Sequence, residues 1–110
     1  MDALIVRCYR GVAMTNPQYQ DALHGIAKPR GGPATPAEHN DGDTQSEFTS
    51  WTTDWHVALE KAMDRDMGGA GVILQKDFDA IIIVLSPDAY FESEVLVRGL
   101  VIDALVIEVS

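Results

Sequence analysis

The chain is 110 residues long, 46% of its residues are hydrophobic, and its formal net charge is −9. A chain of this length has room for one hydrophobic core, so we expect a single domain spanning residues 1–110. Nucleic-acid backbones are bound by clustered Lys and Arg, so a chain with a pI near 4.5 is not expected to bind nucleic acid. The single cysteine excludes an internal disulfide framework and a thiolate metal cluster.

Targeting signals are not apparent in the sequence. No N-terminal segment combines a basic head, an apolar middle and a small-residue cleavage site, and no apolar run approaches the ~18 residues of a membrane helix. We therefore expect no membrane association. The sequence favours a cytoplasmic protein, or a secreted or delivered effector domain without a signal peptide of its own.

The first third of the chain predicts a strand, a short helix and a loop. Residues 4–12 are β-branched and aromatic, which is typical of a strand. Residues 17–27 predict a helix with Asn16 as its N-cap and proline at the first helical position. Residues 28–47 carry three prolines and three glycines with almost nothing apolar. This composition predicts a flexible loop.

The remaining segments are mostly strands. Residues 48–52 predict a second strand, and residues 55–66 a helix that begins at Thr53 and Asp54. Four further apolar segments are separated by turn signals at 76–77, 86–88 and 98–99, and these segments are residues 72–75, 80–85, 94–97 and 100–109. Their connections are too short for parallel crossovers, so the sequence predicts an α+β fold with a mainly antiparallel sheet.

Two carboxylates, Glu92 and Glu94, stand at the entrance of a predicted strand. Side chains at i and i+2 of a strand share a face, so both carboxylates would project together. Like charges at that distance repel each other unless a cation or substrate lies between them. Such pairs can stabilise an oxocarbenium-like centre and activate an attacking group. A solvated strand end is the alternative interpretation.

Arg10 and the segment 48–52 are the other candidate polar groups. A guanidinium at the end of an apolar strand can clamp a pyrophosphate, and Gly11 would let the ligand approach the backbone. The alternative is an ordinary surface arginine. Ser50 and Thr52 place two hydroxyls on one face of an extended segment, where they could orient a ribose or a carboxylate. The alternative is that hydroxyls in this segment cap the following helix.

Together these segments resemble the three signatures of the arginine–serine–glutamate class of ADP-ribosyltransferases, which includes clostridial-type toxins and bacterial effector domains. Residues 8–11 look like the aromatic-Arg-Gly strand, residues 48–52 like the Ser-Thr-Ser strand, and residues 92–99 like the Glu-x-Glu element. The signatures occur in the family's order and span nearly the whole chain. The resemblance implies an ADP-ribosyltransferase-like fold of mainly antiparallel split sheets with a few short helices.

The resemblance also implies how NAD would be held as the substrate. Arg10 would hold the phosphates beside Gly11. Ser50 would brace the catalytic glutamate and the nicotinamide-side ribose, and Thr52 would support it. Trp51 would belong to the same binding segment, although it stands where the family pattern has threonine. No metal is expected, and the three histidines of the chain have no metal-ligand spacing.

The catalytic roles implied by the resemblance fall on three residues. Glu94 would stabilise the oxocarbenium ion as nicotinamide leaves, with Ser50 bracing it. Glu92 would activate the incoming nucleophile, a feature that goes with arginine as the acceptor. Residues 86–91 would form the loop that contacts the acceptor.

The sequence thus predicts an NAD-dependent mono-ADP-ribosyltransferase that modifies a protein and that has a cognate immunity protein as a further expected partner. Two alternatives stay open. The same site could transfer ADP-ribose to water as an NAD glycohydrolase, or the chain could be a non-catalytic nucleotide- or protein-binding module of the same fold.

Overall fold

The computed structural model describes residues 4–29, 47–63, 69–85 and 93–109. Over these ranges the chain forms an α+β domain with a six-stranded antiparallel sheet and two short α-helices. The strands are β1 (Ile5–Ala13), β2 (Phe48–Thr52), β3 (Gly71–Asp79), β4 (Ile83–Leu85), β5 (Glu94–Arg98) and β6 (Leu105–Val109). The helices are α1 (Tyr19–Ala22) and α2 (Trp55–Ala62), and a 3₁₀ turn at Ala80–Ile82 leads into β4. The predicted α+β class and antiparallel pairing are confirmed.

The sheet has two halves that meet at one position. Its strand order is β4-β5-β2-β1-β3-β6. β1 and β3 pair over nine residues, from Ile5 opposite Asp79 to Ala13 opposite Gly71. β1 and β2 are paired only through Tyr9 and Thr52 among the described residues. The structure therefore has one continuous sheet where split sheets were predicted, but the two halves are joined at a single pair.

The first helix is much shorter than predicted. α1 covers Tyr19–Ala22 and not residues 17–27. Asn16 is not its N-cap, because Gln18 is in the N-cap position; the Asn16 side-chain oxygen accepts the backbone N–H of Gln18 at 2.8 Å in a turn before the helix. Gly25 has a φ of +73°, which ends the helical geometry soon after Ala22.

The turn predicted at residues 76–77 is wrong. β3 runs through both positions because its partner β1 is equally long, and Arg7 of β1 forms an ion pair with Asp77 at 2.8 Å. The last predicted strand is also shorter, beginning at Leu105 and not at residue 100. Asp103 has a φ of +60°, and Val101 pairs instead with Ala27 in an isolated bridge. Residues 100–104 therefore form a connection outside β6.

Both faces of the sheet bury side chains. One face, called the core face below, packs with α1 and the connecting segments, and its buried residues are Cys8, Val12, Trp51, Val72, Leu74, Phe78, Val95 and Val97. The opposite face, called the helix face, carries α2, whose fully buried Ala58 and Ala62 pack on Ile73. The sheet is thus covered on both sides in its centre.

Glycine determines how closely α2 approaches the sheet. A Cβ on Gly11 would collide with the carbonyl oxygen of Ala58 and would lie 2.8 Å from the backbone nitrogen of Ala62. A Cβ on Gly71 would similarly collide with the carbonyl oxygen of Ala62. Since the obstructing atoms belong to the helix backbone, a side chain at either glycine would displace α2 as a whole. These contacts fix the position of α2 above β1 and β3.

Candidate functional site: the cleft between β1 and β2

A cleft lies between β1 and β2, where their pairing is limited to one position. Its cavity volume is about 40 Å³, and it is lined by Tyr9, Arg10, Gly11, Ser50, Trp51, Thr52 and Lys61. Sites for small-molecule ligands commonly measure about 300–1,000 Å³. The described part of the cleft is therefore much smaller than a site for a whole dinucleotide.

Arg10 crosses this cleft from β1 to β2. Its Nη1 donates a hydrogen bond of 2.8 Å to the backbone carbonyl oxygen of Ser50, and its Nη2 donates one of 2.8 Å to the side-chain oxygen of Gln18. Ser50 has no paired residue on β1 in the described ladder, and the guanidinium bonds its carbonyl from that side. Arg10 is half-buried and bonded to the protein, unlike an ordinary surface arginine.

Gln18 links Arg10 to a second part of the chain. While its oxygen accepts from Arg10, its side-chain nitrogen donates to the carbonyl oxygen of Lys28 at 3.0 Å. The amide group therefore bridges the guanidinium and the backbone that follows α1. This bridge orients Arg10 from the side opposite β2.

Ser50, Thr52 and Glu94 share the helix face of the sheet. Thr52 is directly opposite Glu94 on β5, and Ser50 is opposite Leu96, and opposed residues in an antiparallel pair project to the same face. Glu94 is half-exposed but is not part of the cleft lining. It lies one strand away from the cleft.

The side chain of Arg10 projects from the core face of β1, opposite to the face of Ser50 and Glu94. Tyr9 is opposite Thr52 and so shares the helix face, and alternation along β1 directs Arg10 to the core face. Its guanidinium reaches the cleft through the gap between the strands and bonds the carbonyl of Ser50. The three signature residues thus lie on three neighbouring strands, with Arg10 approaching from the opposite face to Ser50 and Glu94.

The hydroxyl of Thr52 has structural partners. It donates to the hydroxyl of Ser93 at 3.0 Å and accepts from the backbone N–H of Asp54 at 3.0 Å. Asp54 is the N-cap of α2, as predicted, and its side chain accepts from the N–H of His56. Thr52 therefore supports the start of α2, which was the alternative interpretation of hydroxyls in this segment.

For two of the predicted binding residues, Trp51 and Gly11, the fold itself explains the residue type. Trp51 is 2% exposed, its indole N–H donates to the Thr49 hydroxyl at 2.8 Å, and its ring packs edge-to-face on Phe78. Its ring is therefore part of the core and leaves little surface for a ligand. Gly11 lines the cleft, but its missing side chain is explained by the approach of α2 and not by the approach of a ligand.

Sequence reasoning did not select Tyr9 or Lys61 as site residues. Tyr9 lines the cleft and packs edge-to-face on Trp55 of α2, with ring centroids 5.4 Å apart. Lys61 reaches the cleft from the last turn of α2. The aromatic residue before Arg10 was a signal for Tyr9. Lys61 had none, because its position depends on how α2 packs on the sheet.

Cys8 lies beside the site on β1 and is fully buried. Burial, with a smaller contribution from the negative charge of Asp77, raises the pKa of the Cys8 thiol to about 11. The thiol is therefore protonated at neutral pH, while the reactive form of cysteine is the thiolate. Cys8 is therefore a core residue and not a nucleophile.

Several predicted features lie outside the described residues. They are Glu92, the acceptor loop at 86–91 and residues 30–46 of the Pro- and Gly-rich segment. Among the described residues, no three His, Cys, Asp or Glu side chains are grouped so that they could hold a metal ion. Within the same ranges, no helix has the length and hydropathy needed to cross a membrane.

Comparisons with protein-family models, curated proteins and solved structures found no match to this chain. Any assignment of function therefore depends on the three short signatures and on the geometry of the residues that carry them.

Proposed function

We propose that this domain is a mono-ADP-ribosyltransferase that cleaves NAD at the nicotinamide–ribose bond and transfers ADP-ribose to a protein side chain, with arginine as the acceptor. One observation supports this most strongly. The described residues Arg10, Ser50 and Glu94 of the three signature segments lie on β1, β2 and β5, which are adjacent in the sheet. Arg10 and Ser50 are 40 residues apart in the chain and are hydrogen-bonded.

Glu94 has the central role in the proposed reaction. The C–N bond between ribose and nicotinamide breaks, its electron pair leaves with nicotinamide, and positive charge develops on the ribose ring. A carboxylate close to that ring stabilises this charge. Ser50 is on the same face as Glu94 and on the neighbouring strand, a position suited to orienting the ribose between them.

The second half of the reaction needs an acceptor and a base. A nitrogen of the acceptor guanidinium forms a new bond to the anomeric carbon of the ribose, and this nitrogen loses one proton. The family resemblance assigns that proton to Glu92. The products are nicotinamide, an ADP-ribosylated side chain and one proton, which passes from Glu92 to solvent, and the charges then balance without a metal or a redox step.

Arg10 would bind the pyrophosphate by exchanging one of its partners. The bond to the Ser50 carbonyl keeps the guanidinium in the cleft, while a phosphate oxygen replaces the neutral amide oxygen of Gln18. A charged acceptor forms a stronger hydrogen bond with a guanidinium than a neutral amide does. The exchange is therefore favourable when the ligand is anionic.

A second candidate is a non-catalytic binding module of the same fold. It is favoured by the structural partners that the signature residues already have, since the Thr52 hydroxyl accepts the backbone N–H of the α2 N-cap residue, Asp54, and the Trp51 ring lies in the core. A module of this kind would bind a nucleotide or a protein without turnover.

The test is nicotinamide release from NAD, with and without a small guanidine compound as acceptor. Transfer predicts acceptor-dependent release and a labelled guanidine, whereas release without labelling would indicate hydrolysis. We expect Glu94→Gln to slow release by at least about 100-fold, the usual effect of losing a charge-stabilising or acid–base group. Glu60→Gln is the matched control, because Glu60 is exposed on α2 and does not line the cleft.

Folding must be measured alongside activity. Urea unfolding of Glu94→Gln should resemble that of the wild type, since Glu94 is half-exposed and glutamine keeps the size and shape of the side chain. A folded Glu94→Gln variant with full activity would remove Glu94 from the mechanism. A wild-type protein that releases no nicotinamide would favour the binding module.

A further inference from the structure

We propose that Lys61 is a second phosphate-binding cation of the cleft and that Lys61 and Arg10 together bind the pyrophosphate group of a nucleotide. The choice of NAD as the nucleotide rests on the proposed function. The existence of an anion site does not, because it follows from the charges that line the cleft.

The cleft is positively charged in an acidic protein. The whole chain has 17 Asp and Glu residues against 8 Lys and Arg. Two of the seven described residues that line the cleft, Arg10 and Lys61, carry a positive charge, and none of the seven carries a negative one. A cleft lined by one sign of charge concentrates ligands of the opposite sign. The local charge therefore favours an anionic ligand.

The packing of α2 fixes the backbone of Lys61 close to this anion site. Ala58 and Ala62 are fully buried, and α2 approaches β1 so closely that Gly11 has no room for a side chain. Lys61 immediately precedes Ala62, and it is itself exposed. Its flexible side chain can follow a phosphate at the cleft, while the Arg10 guanidinium is held by Ser50 and Gln18. The two cations would thus differ in role, one fixed and one mobile.

Three other cations of the described residues are engaged away from the cleft. Arg7 pairs with Asp77, Arg98 pairs with Glu47, and Lys76 donates to the carbonyl oxygen of Ile102. Lys76 therefore offers a matched control, because its replacement removes the same charge without touching the cleft.

A structural role for Lys61 is the competing explanation. Lys61 lies in the last turn of α2, where a positive charge favours the negative end of the helix dipole. That role predicts a small loss of stability in Lys61→Gln and no change in anion binding. The two explanations are separated by measuring both quantities on the same variant.

The experiment is calorimetric titration of the full chain with inorganic pyrophosphate and with ADP-ribose, using adenosine as an uncharged control. We expect pyrophosphate and ADP-ribose to bind and Lys61→Gln to weaken both roughly 2- to 5-fold, the range for a solvent-exposed charge contact. Lys76→Gln should bind like the wild type. The difference between these variants should shrink as salt is raised, because salt screens exposed charges.

Each result bears on the inference. Equal affinities of Lys61→Gln and Lys76→Gln for pyrophosphate would overturn it, and so would a wild-type protein that binds neither anion. Anion binding that depends on Lys61 without nicotinamide release from NAD would support the site and count against the transferase. A Lys61→Gln variant that unfolds earlier but binds anions normally would assign Lys61 to helix stability alone.

Discussion

The two halves of the sheet differ in the length of their strands, in how closely a helix packs on them and in the polar residues on their faces. The half made of β1, β3 and β6 has a nine-residue ladder. α2 packs on this half, where Gly11 and Gly71 lie against the backbone of Ala58 and Ala62. The half made of β4, β5 and β2 has strands of three to five residues and presents Ser50, Thr52 and Glu94 on one face. Two of the three polar signatures therefore lie on the less extensively paired half, and the third, at Arg10, lies on β1 of the long half.

This difference indicates that the stability of the fold and the binding of ligands depend on different residues. Local stability follows the density of buried contacts and paired backbone, so the long half should unfold last. The cleft lies where the two halves meet, so the partly exposed polar side chains there can change with less effect on the fold. Substitutions at the tightly packed positions, Gly11 among them, should therefore lower stability strongly, and those of the polar cleft side chains should mainly affect ligands.

The largest expected effect is that of Gly11→Ala. Its added Cβ would collide with the backbone of α2, which cannot move without leaving the sheet. Overpacking of a well-packed contact costs about 1–3 kcal/mol, and we expect the upper end here. The measurement is the free energy of unfolding in urea.

The control for Gly11→Ala is Gly69→Ala. Gly69 has a φ of +81°, and a Cβ added there would have no heavy atom within 4 Å, so only backbone strain opposes alanine at this position. That strain costs roughly 1–2 kcal/mol for an ordinary residue. If Gly11→Ala is no more destabilising than Gly69→Ala, the helix α2 does not approach Gly11 as closely as described.

Thr49→Val should have the next largest effect, and it tests the core of the short half. The Thr49 hydroxyl accepts the indole N–H of Trp51, and both residues are buried. Valine keeps the shape but leaves that N–H without its partner, which costs about 1–3 kcal/mol. Urea unfolding should show this loss, whereas Thr49→Ser, which keeps the hydroxyl, should lose less. Equal losses in both variants would point to packing and not to the hydrogen bond.

Much of the fold could be predicted from local pattern. β2 begins and ends where its aromatic and β-branched residues predicted, and Asp54 caps α2 as expected. The turn predicted at residues 76–77 was wrong. Two adjacent polar residues, Lys76 and Asp77, are typical of a turn, but here they lie within β3. Asp77 belongs to a strand because β3 pairs along the whole of β1, where Arg7, 70 residues earlier in the chain, lies opposite it. No local window contains that partner.

The site could be predicted only in part. The signatures selected Arg10 and Ser50, which line one cleft, and Glu94 on the adjacent strand. They could not reveal that Trp51 faces the core, since this depends on which face of β2 is covered. Lys61 was missed for a similar reason, because the two glycines that determine the position of α2 are far apart in the sequence.

The smallest expected effect is the pH dependence of the Arg7–Asp77 pair on the long half. Its two hydrogen bonds measure 2.8 and 3.1 Å, and both side chains are about half exposed. The Arg7 guanidinium holds the pKa of Asp77 below its usual value of 3.8. Because the folded pKa is lowered, the pair contributes stability above about pH 4 and loses it as the pH falls through the folded pKa. Exposure keeps this contribution small.

A double-mutant cycle isolates the pair, with urea midpoints measured for Arg7→Gln, Asp77→Asn and the double variant at neutral pH and at pH 3. The coupling between the two positions should be favourable at neutral pH, smaller at pH 3, and reduced by salt at neutral pH. Coupling that is unchanged by acid would mean that the carboxylate charge contributes nothing. The register of β1 and β3 would then be held by its nine-residue ladder and buried side chains alone.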